Sequence, residues 1–280
     1  CLGAVLNLIL DPLLIFGCGP VPPLGVAGAA LATVSGQLLG MTVGFFLVSG
    51  RKDLSLSPRR FRPSGDVIRE IYRIGLPAIV MQSLATFMTL GLNKIMALFS
   101  ESAVFILGVY FKIQSFIFMP VFGLNNGLTP VVGYNYGARS RGRIVALIRF
   151  ALEIGVVIMA AGTLLLALFP HRFLQLFHAE SNVLATGVSA LRMISSGFVF
   201  AGVSVILCAA FQAMGASMLS LAVSLSRQLV LILPAALLLG RFSPRFMWLC
   251  FPIAELLSCL LALLFYRKVY REKLVPMSER

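Results

Sequence analysis

One carboxylate in the first apolar stretch has the surroundings of an ion-binding residue. Asp11 stands next to Pro12 and four residues after Asn7, so Asn7 and Asp11 share one face of a helix. A carboxylate in hydrocarbon costs ~2.5–3.5 kcal/mol even on the lenient insertion scale, and it therefore faces a cavity or a partner. Pro12 frees a backbone carbonyl as a further ligand. The pattern favours exchange of H⁺ or a metal cation; the competing interpretation is an aspartate at a helix end, exposed to water.

A second acidic residue, Glu255, lies within the last apolar stretch. It can serve transport, or it can pair with Arg227 or Lys112 and serve the structure alone. Without such a pair, Arg227 is expected to extend its charged end towards the membrane surface. Polar side chains in other apolar stretches can line a cavity or join helices by hydrogen bonds. The candidate residues for a substrate cavity are Gln82, Asn125, Asn126 and Glu255.

Signatures of catalysis are missing from the sequence. It contains no HExxH, GxSxG or P-loop pattern. The five cysteines show no CxxC spacing, and the two histidines share one loop segment with no partner ligands. We therefore expect no catalytic residue, no cofactor, and no metal site other than a Na⁺ site at Asp11.

The polar residues are carried by long apolar stretches. Hydrophobic residues make up 59% of the chain and charged residues only 12%, whereas a soluble domain carries about 25% charged residues. Runs such as 219–240 and 145–169 approach or exceed the roughly 20 residues that cross the hydrocarbon layer as a helix. Short alternating segments typical of a membrane barrel are missing. We predict an all-α, polytopic membrane protein.

Eight apolar segments can be drawn along the chain. The first begins with Cys1 inside an apolar run and is interpreted as the second half of a helix, so upstream helices are expected to be missing. The fourth contains Pro120 and Pro130 and is predicted to be kinked or broken. The segments are 1–17, 26–49, 75–98, 103–136, 145–169, 184–213, 219–240 and 246–266.

The net charge of +13 has a membrane explanation. Region 50–73 holds seven Lys and Arg residues, segment 137–149 holds four and the tail from 267 holds five, while the opposite loops hold three. This bias places the basic loops and the C-terminus in the cytoplasm, and we expect no nucleic-acid partner. Segment 64–73 is interpreted as a short amphipathic helix at the membrane surface, or as a solvated linker helix.

Several motifs resemble the multidrug and toxic compound extrusion (MATE) family, in the family's order and over nearly the whole chain. They correspond to the fifth to eighth, tenth and eleventh helices of that family. The matching stretches are NLILDPLLIFG at 7–17, GVAGAALAT at 25–33, GLP at 75–77, MPVFGLNNG at 119–127, GYNYGA at 133–138, FQAMG at 211–215 and RQLVLILP at 227–234.

The resemblance implies a twelve-helix fold of two six-helix lobes around a central cleft, with about 7.5 helices present here. It also implies alternating access, with export driven by an inward H⁺ or Na⁺ gradient. Many prokaryotic members use an Asn and an Asp of the fifth helix and a Thr of the sixth as a cation site, which matches Asn7, Asp11 and Thr33. Other members use acids on the seventh and tenth helices, and this chain has none there.

The expected organisation follows from the resemblance. Residues 1–49 are the end of the N-lobe, 50–74 a basic cytoplasmic linker with an amphipathic helix, 75–266 the six-helix C-lobe, and 267–280 a cytoplasmic tail. The expected function is that of a cation-coupled multidrug antiporter in the cell membrane that exports lipophilic cationic or aromatic compounds. The expected partners are a small drug-like substrate and the lipid bilayer, and the protein is expected to be a monomer.

Three other functions compete with this interpretation. A lipid-linked oligosaccharide flippase of the same superfamily is the closest alternative, with Lys94, Lys112, Arg192 and Arg227 available for a cationic cavity. An intramembrane enzyme would need a pair of facing catalytic acids or a Ser/His pair, and no such pair is visible. The paired-lobe layout argues against a channel or a receptor.

Overall fold

The computed structural model describes residues 2–17, 22–49, 64–177 and 181–277. All regular structure within these ranges is helical, and they contain no strand. The chain divides into two compact units, Cys1–Ser64 and Gly65–Arg280. Most of the basic linker 50–74 lies outside the described residues, as does the end of the tail.

The first unit is a pair of apolar helices. Helix α1 spans Leu2–Phe16 and helix α2 spans Gly25–Ser49. The 25 residues of α2 are long and apolar enough to cross a membrane, while the 15 residues of α1 are fewer than such a span needs.

Glycines allow the two helices of this unit to approach until their backbones touch. A Cβ atom added to Gly3 would lie 2.5 Å from the carbonyl oxygen of Gly36, and one added to Gly36 would lie 2.6 Å from the carbonyl oxygen of Gly3. A Cβ on Gly28 would clash with the Leu14 carbonyl. Small residues at such an interface permit close packing of membrane helices, so that short polar side chains can reach across it.

The second unit contains the remaining helices. Helices α7 (Ser181–Ser195) and α8 (Phe198–Ala213) are bent by 43° at a short break. A π-helical turn joins α9 (Ser217–Leu225) to α10 (Ile232–Phe242) within one continuous stretch. A 3₁₀ turn, Phe246–Leu249, precedes α11 (Cys250–Val269), and a π-helical turn, Tyr270–Leu274, follows it. The other elements are α3 (Gly65–Ala97), α4 (Glu101–Gly137), α5 (Arg141–Leu168), α6 (Pro170–Leu176) and the turn Ser226–Leu231 between α9 and α10.

Six helical stretches in the described part of the chain are long and apolar enough to cross a membrane, or seven if the bent α7–α8 pair is one span. Together with the shorter α1, they account for the expected seven and a half helices. Large apolar side chains such as Phe116 (78% exposed) and Val157 (67% exposed) face outward, as lipid contact requires. The prediction of an all-α, polytopic membrane protein is confirmed.

Two local expectations differ from the structure. Residues 65–73 do not form a separate helix but begin α3, which continues through Gly75 and Pro77 to Ala97. Asp66 in the first turn favours the helix dipole. Helix α4 runs through Pro120 and Pro130 without a break, so of the two predicted alternatives, kinked or broken, the second is wrong. Membrane helices accommodate proline because neighbouring groups can satisfy the freed carbonyls.

Helix α8 lies at the centre of the second unit, in contact with α4, α5, α9 and α11. Aromatic side chains fix these contacts. The Tyr110 ring meets the Phe251 ring nearly at right angles with centroids 4.9 Å apart, and Phe118 meets Phe198 in the same way at 5.4 Å. Such pairs contribute about 0.5–1.5 kcal/mol beyond the area they bury. The core therefore holds α4 against α8 and α11, the helices that carry the polar residues of interest.

The glycine contact between α1 and α2 yields a stability prediction. Gly36→Ala is expected to destabilise the protein by about 1–3 kcal/mol, because the added methyl group meets backbone that cannot move aside. The matched control is Gly44→Ala on the same helix, where nothing in the described part of the chain lies within 4 Å of the added Cβ. Thermal unfolding of the detergent-solubilised full-length protein measures both. Equal melting temperatures for the two variants would contradict the packing described.

Candidate functional site

The structure brings the three residues selected by the resemblance together at the α1–α2 contact. The Asn7 amide nitrogen lies 3.4 Å from Asp11 Oδ1 and 3.4 Å from Thr33 Oγ1. With the amide turned so that both neighbours are satisfied, its nitrogen donates to Asp11 Oδ2 at 3.1 Å and its oxygen accepts from the Thr33 backbone N–H at 3.2 Å. In either orientation, Asn7 bridges Asp11 on its own helix to Thr33 on the facing helix.

The electrostatics of this cluster are simple. Asp11 is the only charged residue among the first fifty of the sequence, so no cation of the helix pair balances its carboxylate. Its side chain is half-buried. An isolated carboxylate between apolar helices is stabilised by a proton or a bound cation.

The cluster contains several oxygen atoms of the kind that bind small cations. The cluster supplies the Asp11 carboxylate, the Asn7 amide oxygen and the Thr33 hydroxyl, whose own hydrogen is donated to the Ala29 carbonyl at 2.9 Å. Pro12 has no N–H, so the Leu8 carbonyl one turn before it lacks its usual helical donor. Hard cations prefer such oxygen ligands. No group of three or more His, Cys, Asp or Glu residues suited to a metal ion occurs among the described residues.

Three of the four residues proposed for a substrate cavity meet in the second unit. Gln82, Asn125 and Asn126 line a cavity of about 320 Å³ enclosed by α3, α4, α8, α9 and the π-helical turn. Glu255 lies instead in the wall of a neighbouring cavity of about 180 Å³. Arg227 lines both cavities, so the four residues border two adjoining spaces rather than one.

The sequence left two partners open for Glu255, and the structure selects one. Arg227 Nη1 lies 3.5 Å from Glu255 Oε1, and the two side chains are only 21% and 14% exposed. Lys112 is elsewhere, with its ammonium 5.4 Å from the centre of the Phe177 ring. Of the two alternatives given for Arg227, the pair with Glu255 is therefore the one that forms, and not the extension towards the membrane surface. Arg227 forms a partly buried ion pair because Glu255 on α11 offers it a carboxylate.

Sequence reasoning missed the π-helical turn that carries Arg227. Residues Ser226–Leu231 form a turn wider than the α-helices on either side, and such turns often occur at functional sites. The buried Gln228 follows Arg227 in the same turn. Nothing in an apolar run signals one extra residue in a helical turn, so only the three-dimensional structure reveals it.

Comparison with known proteins identifies the family. The family model described as MatE matches residues 77–238, which is more than half of the chain. The chain belongs to the MatE family. The resemblance stated from the motifs is thereby confirmed, and the matched range includes α4 and α8, which border the 320 Å³ cavity.

Curated relatives and solved structures agree with the MatE assignment. The multidrug export protein MepA of Staphylococcus aureus (strain MSSA476) is 29% identical over 216 residues, covering 75% of this chain and 46% of its own length. The MepA protein of Staphylococcus haemolyticus (strain JCSC1435) is 26% identical over 211 residues with the same coverage. The MatE chain thus spans about half the length of the curated relatives it matches.

Two solved structures show the same fold. An outward-facing multidrug resistance MATE family transporter of the MOP superfamily aligns with a TM-score of 0.86 at 25% identity, covering 95% of this chain and 60% of its own. The Vibrio cholerae MATE transporter VcmN in its bent form aligns with a TM-score of 0.88 at 23% identity, covering 99% of this chain and 62% of its own. The described helices of this MatE chain therefore follow the arrangement of MATE transporters.

Proposed function

We propose that this MatE chain is part of a cation-coupled multidrug antiporter that exports lipophilic cationic or aromatic compounds across the cell membrane. The observation that carries the proposal is the Asn7–Asp11–Thr33 cluster, in which the only charge of an apolar helix pair meets polar groups of both helices. Such a cluster can bind H⁺ or Na⁺. The relatives named as multidrug export proteins support the export of drug-like molecules.

The coupling follows from the geometry of the cluster. Binding a proton or Na⁺ to Asp11 changes the acceptor that the Asn7 amide contacts, and through Asn7 it changes the contact with Thr33 on α2. The ion therefore favours one packing of the two helices over another. A drug that binds preferentially to the other packing is released when the ion binds. Drug binding in turn lowers the affinity for the ion by the same factor, and that factor defines the coupling free energy.

The closest alternative, a lipid-linked oligosaccharide flippase, receives less support. Such a protein needs a cluster of cations in its cavity to hold phosphate. Lys94, Lys112 and Arg192 line neither cavity described above, and Arg192 instead donates to the Ala167 carbonyl at 3.1 Å. Of the four cations, Arg227 alone lines the cavities, and a single arginine does not make the cluster that phosphate requires.

The orientation of the protein is part of the proposal. We infer that the basic stretches 50–73 and 137–149 and the C-terminal tail lie in the cytoplasm, because sixteen Lys and Arg residues lie in them against three on the opposite side. The substrate would then leave towards the opposite face of the membrane, while the coupling ion enters.

The proposed function predicts the outcome of dye efflux from vesicles that contain the full-length protein. A lipophilic cationic dye is expected to leave under an imposed H⁺ gradient or an imposed Na⁺ gradient, and efflux is expected to disappear in Asp11→Asn. That variant keeps the shape of the side chain but cannot carry the charge that binds the ion. The matched control is Asp66→Asn at the exposed start of α3, which should leave efflux unchanged.

Two results would decide against this proposal. If neither gradient drives dye efflux in the unmodified protein, the multidrug function is wrong for this class of compounds. If efflux persists undiminished in Asp11→Asn, the coupling ion binds elsewhere in the full-length protein.

Thr33 provides a finer test of the ion site. Thr33→Ala is expected to raise the ion concentration needed for half-maximal efflux about five- to tenfold, the equivalent of losing one hydrogen-bonding ligand, and Thr33→Ser should restore it. Thr42→Ala is the matched control, because Thr42 makes the same bond to the carbonyl four residues earlier on the same helix at 2.8 Å. An equal effect of Thr33→Ala and Thr42→Ala would show that Thr33 matters only for helix structure.

A further inference from the structure

The 320 Å³ cavity of the second unit has a distinctive charge. Among the described residues that line it, Arg227 is the only one with a charged side chain. The carboxylate of Glu255 belongs to the adjoining cavity, on the other side of Arg227. A ligand in the larger cavity therefore meets the guanidinium before it meets the carboxylate. The nearest full charge to such a ligand is therefore positive. It has the larger effect on the ligand, because Coulomb energy falls with distance.

Arg227 has hydrogen-bonding capacity that the protein leaves unused. A guanidinium carries five N–H donors, and the hydrogen bond found for Arg227 within the described residues is the single 3.5 Å contact from Nη1 to Glu255 Oε1. The side chain is 21% exposed, and the spaces it borders are the two cavities. The remaining donors are thus available to a ligand.

Glu255 holds Arg227 in place without competing for the cavity. Its Oε2 atom is buried and has no hydrogen-bond partner among the described residues, and its side chain is 14% exposed. One oxygen therefore anchors the guanidinium while the other faces protein. This arrangement makes Glu255 a positioning residue that directs the free edge of Arg227.

The rest of the cavity wall specifies what else the ligand carries. Amide and hydroxyl groups on Gln82, Asn126 and Ser224 offer neutral hydrogen bonds, and apolar surface comes from Met81 and Phe122. The volume is at the lower end of the roughly 300–1,000 Å³ of small-molecule sites. The wall therefore suits a compact molecule with one charged end and an aromatic or aliphatic body.

We propose that this cavity binds amphiphilic organic carboxylates, as free acids or zwitterions, with the planar guanidinium of Arg227 as the partner of the carboxylate. Arginine matches a carboxylate with two parallel N–H donors, which lysine cannot do. The inference rests on the proposed export function, since the bound acid would be a transport substrate. Binding itself, however, is measurable without transport.

The experiment compares two probes that differ at one group, a rhodamine free acid and its methyl ester. Fluorescence polarisation with the purified full-length protein gives the Kd of each. We expect the unmodified protein to bind the free acid at least about tenfold more tightly than the ester, the equivalent of one charge-assisted hydrogen-bonded pair. Arg227→Lys keeps the charge but loses the planar guanidinium with its parallel N–H donors. It should weaken binding of the acid several-fold and leave the Kd of the ester unchanged.

Two further variants complete the design. The double variant Arg227→Gln with Glu255→Gln removes both charges without leaving one unpaired in the protein interior, and it should bind acid and ester equally. Arg149→Gln is the control for removal of an arginine, because Arg149 pairs with Glu153 on the exposed face of α5 with 80% of its side chain exposed. It should leave both Kd values as they are in the unmodified protein.

Each contrary result has a distinct meaning. Equal Kd values for acid and ester in the unmodified protein, or a preference for the acid that survives in the double variant, would overturn the proposal. A preference for the ester that disappears in Glu255→Gln would also overturn it, by showing a cation site at Glu255. If vesicles that contain the protein export the ester under an ion gradient, the proposed export function stands whichever of these results is obtained. Tight acid binding without export of either dye would instead refute the export function alone.

Discussion

The free-energy cost of an isolated charge in an apolar environment is the constraint on which the arrangement of polar residues in this protein depends. A carboxylate among membrane helices needs a proton, a cation or polar neighbours, and Asp11 has no charged neighbour in its helix pair. Asn7 reaches Asp11 along α1 itself, whereas Thr33 on α2 reaches Asn7 because Gly3 and Gly36 let the backbones of α1 and α2 touch. The close glycine contact is therefore what joins Asp11, Asn7 and Thr33 into one cluster.

The two units bury a carboxylate in different ways. Within its own helix pair Asp11 has no counter-ion, whereas Glu255 has the guanidinium of Arg227 at 3.5 Å. An ion pair in a protein interior is held because removing either partner leaves a charge uncompensated, at a cost of about 3–5 kcal/mol. No ion pair within its helix pair restrains the carboxylate of Asp11 in this way. The unpaired acid is thus suited to exchanging ions, and the paired acid is suited to fixing the position of Arg227.

Much of the fold was predictable from the sequence because apolar length and charge placement report directly on membrane spans. The pairing of Asn7 with Asp11 was also predictable, since a spacing of four residues puts both on one helix face. Thr33 could be placed beside them only through the family resemblance, because contacts between helices depend on packing that one sequence does not reveal.

Other features depended on long-range contacts or on fine helical geometry. The choice of Arg227 over Lys112 as the partner of Glu255 is made by the packing of α11 against the π-helical turn. That turn leaves no trace in composition. The sequence predicted a separate helix at 64–73 because a basic, amphipathic stretch has the same residue pattern whether it lies on the membrane surface or begins a membrane span. In the structure α3 continues through Gly75 and Pro77, two residues of types that often end a helix.

The central claim, that Asp11 exchanges the coupling ion, is tested most directly by counting ions released on binding of a drug. A lipophilic cationic dye is added to the purified full-length protein in weakly buffered solution, and released H⁺ or Na⁺ is measured with ion-selective electrodes. The account predicts about one ion released per dye bound, and none in Asp11→Asn. Release of the same amount from Asp11→Asn would contradict it.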